Sequence, residues 1–106
     1  KLDVKLDWSR VPLLPGVAAL AADGFVTGAS GRNWMAYGQD IALPAGFRAA
    51  DQALLSDPQT SGGLLVSCAP EAVDAVLAVF RRHGFQDAAV IGEVAAASGG
   101  PRLAVG

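Results

Sequence analysis

The sequence predicts an α+β fold, a mixed sheet with helices packed on it, and three observations carry that expectation. Residues 2–8 alternate apolar Leu2, Val4, Leu6 and Trp8 with polar neighbours, the period of two of a half-buried strand. The runs 63–69 and 88–97 are apolar and of strand length. Between them, Val73, Val76, Leu77 and Phe80 recur at helical spacing. With 106 residues, 52% hydrophobic and 17% charged, the chain has room for one domain with one core and is not of disordered composition. The domain reading is a single unit over 1–106.

The elements follow in order. After the first strand, Pro12 and Pro15 bar further pairing, and Pro15 suits the first turn of a helix over Gly16–Asp23 that Gly24 closes as a left-handed cap. Residues 25–40 hold three glycines among polar and aromatic residues and read as a long ordered loop. Residues 41–43 form a short strand stopped by Pro44. A short helix follows in "FRAADQALLSD", with Phe47, Ala50, Leu54 and Leu55 inward, and Asp57-Pro58 ends it. "GLLVSCA" (63–69) reads as a strand buried on both faces. Pro70 and Glu71 open the clearest helix and Gly84 ends it. Residues 88–97 are a strand with Gly92 at a bulge or close contact, and "RLAV" is its hairpin partner across "SGG".

Composition excludes several functions. Net charge is −2 and the eight Lys and Arg are dispersed, so no basic face points to nucleic acid. No apolar run approaches the roughly 20 residues that span a bilayer. One cysteine, Cys68, allows no internal disulfide and suits a reducing, cytoplasmic setting; mid-strand, it reads as core filler. The first residue lies inside a strand and is not Met, which reads as a piece of a longer chain.

Candidate chemistry gathers in two stretches. "DPQTSGGLL" (57–65) is no Walker loop, because Gly63 leads into Leu64-Leu65 rather than a Lys and a helix. The hydroxyls of Thr60 and Ser61 with the amides of Gly62 and Gly63 could form an anion-binding concavity. Spacing alone favours a plainer role, an Asx-type turn at Asp57 with glycines that let two backbones approach. In "GRNWMAYG" (31–38), Arg32, Asn33, Trp34 and Tyr37 concentrate cationic, amide and aromatic groups that could grip a nucleotide or a partner domain, or simply pin a loop by burying Trp34. His83 closes a helix with Arg81 and Arg82, where three basic residues complement the dipole. No catalytic residue and no metal-ligand spacing emerges.

Taken together, "VPLLPG" (11–16), "RNWMAYG" (32–38), "LLSDPQTSGGLLV" (54–66) and "VIGEV" (90–94) resemble the C-terminal domain of the selenophosphate synthetase (selenide, water dikinase) family. The likeness runs from about Leu6 to Val94; the family commonly has serine near Ala36, and the residue before Asp57 varies. The resemblance implies an aminoimidazole ribonucleotide synthetase C-terminal-domain-like fold. It implies a two-domain, commonly homodimeric enzyme that makes selenophosphate from ATP, selenide and water, releasing AMP and phosphate. ATP and Mg²⁺ would be bound mainly by an N-terminal domain outside this sequence, which also carries the reactive Cys or selenocysteine and its Lys. Cys68 does not match that motif. This chain would be inactive alone, with its own N-terminal domain as partner and neither membrane nor nucleic acid involved. Thr60, Ser61, Gly62, Gly63, Arg32 and Asn33 are the candidates to face nucleotide. Two other readings stay open here: the C-terminal domain of another ATP-using synthetase or hydrogenase-maturation protein of the superfamily, and a non-catalytic module docking through Trp34 and Tyr37.

Overall fold

In a computed structural model that describes residues 1–106, four strands form one mixed sheet and four α-helices lie around it. Strand β1 (Leu2–Leu6) is central. It pairs antiparallel with β3 (Gly92–Ala96) and parallel with β4 (Leu103–Val105), and β4 pairs parallel with β2 (Ile41–Ala42), giving the order β2-β4-β1-β3. The α+β expectation is borne out. The hairpin expected between the last two strands is not formed. β1 lies between them, with Val4 opposite Val94 on one side and Leu103 on the other. The apolar face expected to be half-buried is exposed at Leu2 and Val4, while Asp3 on the opposite face is buried.

The first strand is shorter than its alternation suggests. Asp7 leaves the ladder and its carboxylate accepts from the Ser9 amide at 3.0 Å, capping a 3-10 turn over Trp8–Arg10. That turn swings the Trp8 ring onto Phe47, edge to face with centroids 5.9 Å apart. The ladder of β3 likewise begins only at Gly92, four residues after the expected start.

Helix α1 (Val17–Ala22) starts after Gly16 in the left-handed region, φ 83°, so Pro15 lies in the preceding turn rather than in the helix. Gly24, φ 93°, closes it as expected. Helix α2 (Gly28–Tyr37) occupies the stretch read as a loop. Its glycines lower intrinsic propensity, yet Thr27 supplies an N-cap, its hydroxyl accepting from the Ser30 amide at 3.2 Å. The half-buried Trp34 holds the other end, packed so closely over Gly38 that a Cβ there would lie 2.7 Å from the indole. Helix α3 (Ala49–Leu55) and helix α4 (Val73–Arg82) follow their predicted patterns, with Val73, Val76, Leu77 and Phe80 half-buried. At the C-terminus of α4, His83 Nδ1 donates to the Val79 carbonyl at 2.9 Å beside Arg81 and Arg82, the dipole-complementing role expected of it.

The largest departure is residues 63–69, which form no strand. Leu64 and Leu65 are 81% and 84% exposed, and Cys68, expected as core filler, is exposed too. A strand needs a neighbouring strand for its amides, and neither edge of this sheet takes the segment up. Only Ala21 and Val105 are buried apolar residues. The accessible surface is 7633 Å², whereas a compact monomer of 10.7 kDa exposes about 5,500 Å².

Candidate functional site

The two stretches singled out in the sequence meet at one point. Asn33, in the middle of α2, donates through Nδ2 to the Ser56 carbonyl at 2.8 Å, just where α3 ends and the 57–63 loop begins. The bond satisfies one of the carbonyls that a helix C-terminus leaves without a partner. Asn33 thereby holds the loop's first residue to the helix that carries Arg32. Trp34 walls two open grooves at this junction. One, of about 300 Å³, runs between α2 and α3 past Thr27, Ser30 and Gln52. The other, of about 280 Å³, runs past Asn33, Tyr37, Leu55 and Asp57. Burial of one face of Trp34 pins α2, while Tyr37 and Met35 stay exposed.

The loop itself is not a formed anion nest. Thr60, Ser61, Gly62 and Gly63 are exposed, none makes a hydrogen bond, and neither glycine has positive φ. The Asx-type turn at Asp57 is replaced by a side-chain contact: Gln59 Nε2 donates to the Asp57 carboxylate rather than a backbone amide doing so. That folds the Gln59 side chain back toward Gly62, where a Cβ would sit 2.9 Å from Gln59 Cβ. Gly63 has open space around it. Close approach therefore requires one glycine of the pair, and it is to a side chain. Arg32 is exposed and pairs with no carboxylate, since the ion pairs are Lys5–Glu93 and Arg48–Asp51.

Two buried carboxylates escaped sequence reasoning. Asp51 accepts from Arg48 Nε at 2.8 Å and Nη2 at 3.2 Å, and those bonds hold it below the usual carboxylate range against the opposing effect of burial. Asp3 accepts the Ser98 amide at 2.7 Å and hydroxyl at 2.8 Å, and those bonds lower its pKa. Its other oxygen is buried without a partner. The only sequence signal for either was a carboxylate in an otherwise apolar neighbourhood. Asp3 ties β1 to the turn at Ser98, Asp51 is bonded within the first turn of its own helix, and both lie outside the α2–loop junction.

No group of three or more His, Cys, Asp or Glu side chains converges anywhere in the chain. The oxygen donors that Mg²⁺ demands are therefore not assembled by these residues, and no chemical step is derived through the ion. No helix is long and apolar enough to cross a membrane.

Residues 5–102 match the family described as AIR synthase related protein, C-terminal domain. The chain belongs to that family. This AIR synthase related C-terminal domain is also similar to curated proteins named selenide, water dikinase. It is 62% identical over 93 residues to the one from Burkholderia pseudomallei, covering 88% of this chain and 26% of that protein. With the Pseudomonas straminea protein it shares 52% identity over 106 residues, all of this chain and 29% of the relative. With that of Rhizobium meliloti it shares 47% over 96 residues, 91% and 28%. The resemblance read from the motifs thus holds across the domain's whole length, and the domain spans under a third of the relatives it matches.

Proposed function

We propose that this domain is the C-terminal part of a selenide, water dikinase, in which ATP, selenide and water give selenophosphate, AMP and orthophosphate. The observation that carries the reading is identity of 52% maintained over all 106 residues, and the meeting of the two motif stretches at the α2–loop junction supports it. In this reading residues 1–106 are one structural unit. The Mg²⁺ carboxylates, reactive Cys or selenocysteine and Lys come from an N-terminal domain, and the enzyme acts as a cytoplasmic homodimer. The scattered carboxylates of this chain support that division of labour.

This chain contributes a wall. Asn33 fixes where the loop departs, Arg32 on the same helix offers an unpaired guanidinium, and Thr60 to Gly63 offer hydroxyls and amides on the nucleotide side. A guanidinium and backbone amides suit phosphate oxygens by charge and by hydrogen bonding. Replacing Gly62 by Val in the complete enzyme drives a branched side chain against Gln59 Cβ, 2.9 Å from the glycine's would-be Cβ, and displaces the loop. ATP turnover then falls by about 10-fold or more at unchanged thermal stability, the scale of losing one well-placed hydrogen-bond donor to charge. Undiminished turnover removes the nucleotide-wall role. The chain by itself forms no AMP from ATP and selenide, and robust activity from it contradicts the proposal.

A further inference from the structure

Residues 60–68 make no hydrogen bond of any kind with the rest of the chain, although 64–66 and 68 are Leu, Leu, Val and Cys. Such a run leaves its apolar side chains and every one of its backbone amides to water, a combination a folded protein avoids. The excess surface, about 2,100 Å² above that of a compact monomer, sits on several elements at once: Leu65 in this segment, Leu2 and Val94 on the sheet, and Phe25 after α1. An ordinary association covers about 800 Å² per partner, so the missing cover is larger than a standard docking protein. The relatives supply a candidate of the right size, because this domain accounts for only 26% to 29% of their length.

We infer that Gly63–Ala69 is a strand completed by the upstream part of the same polypeptide, and that this pairing sets the Thr60–Gly63 loop. Gly63 passes directly into Leu64, so a strand at 64–68 fixes one end of the loop while Asn33, bonded to the Ser56 carbonyl, fixes the other. The alternation within the segment suits two buried faces, with Leu65 on one side and Leu64 and Val66 on the other. The loop is thus ordered by docking rather than preformed. This inference rests on the reading of the chain as part of a longer enzyme.

The test uses the complete polypeptide, native and unfolded in urea. Mass spectrometry follows amide exchange in peptides spanning 64–68 and iodoacetamide alkylation of the Cys68 peptide. The expected result is protection of both by about 100-fold or more in the native protein, unchanged on dilution through the dimer dissociation range. Less protection than that overturns the inference. So does protection lost on dilution, which makes a second copy the occupant. If Cys68 is protected while the Gly62→Val enzyme keeps full turnover, the nucleotide-wall reading fails and the strand inference stands. An active enzyme with freely reactive Cys68 overturns the strand inference and leaves the proposed activity standing.

Discussion

Gly92 is where the sheet tolerates least. It stands opposite Leu6 in the β1–β3 ladder, and a Cβ at this position would overlap the Lys5 carbonyl oxygen and lie 3.2 Å from the Leu6 Cα. Both obstacles are backbone, so no side chain can rotate away. Gly92→Ala must therefore open the ladder by about 1 Å to reach an ordinary carbon–oxygen separation of roughly 3.3 Å. Opening weakens the ladder bonds around this pair and the neighbouring bond from the Asp7 amide to the Ile91 carbonyl, 2.8 Å in the native chain. Two weakened bonds cost about 2 kcal/mol, and overpacking against backbone adds about 1 kcal/mol. The lower chain entropy of unfolded Ala returns about 0.5 kcal/mol. The net loss is about 2.5 kcal/mol, which at a urea slope of about 1 kcal/mol per molar moves the midpoint down by about 2.5 M. The assay is urea unfolding followed by tryptophan fluorescence, with Trp8 just beyond the end of β1 as reporter. About 1 M trimethylamine N-oxide in both samples keeps the variant's transition in range. Gly63→Ala is the control: nothing lies within 4 Å of its would-be Cβ, and its midpoint stays level or rises slightly. A Gly92→Ala midpoint within about 0.3 M of the native chain, or an equal loss in the control, refutes the close-approach reasoning.

Other outcomes follow from single contacts. Asn33→Ala leaves the Ser56 carbonyl without its donor and costs about 1 kcal/mol; limited proteolysis between residues 57 and 62 speeds up, and unchanged cleavage disproves the anchoring role. Asp51→Asn lowers stability at neutral pH by about 1 kcal/mol after allowance for the exposed guanidinium of Arg48. The folded-state pKa of Asp51 is depressed, so its contribution is complete above the unfolded value near 3.8 and disappears as pH falls through the lower folded value. Native and variant unfolding midpoints should converge toward pH 2, and a gap that persists there contradicts the assignment.

Much of the fold was legible because local physics and tertiary demands agreed. The strand at Leu2–Leu6, the stripe of α4 and the glycine stops at Gly24 and Gly84 survive in the structure, but the apolar face of that strand is not the buried one: Leu2 and Val4 are exposed and Asp3 is buried. Helix α2 was not legible: three glycines in residues 25–40 argue against a helix, and what overrides them is the Thr27 cap and the lodging of Trp34 over Gly38. Of the candidate site, sequence singled out two stretches but not their connection, since the Asn33–Ser56 bond joins positions 23 residues apart.

The α+β class, the glycine stops of α1 and α4, the family and the residues worth testing could be read along the chain, because period, caps and motifs are written in neighbouring positions. Strand order, the insertion of β1 between β3 and β4, and the fate of Gly63–Ala69 emerged only in three dimensions. An apolar run states that it must be covered and cannot state by what. A strand exists only where another backbone offers its amides and carbonyls, and that is a property of what surrounds a segment rather than of the segment.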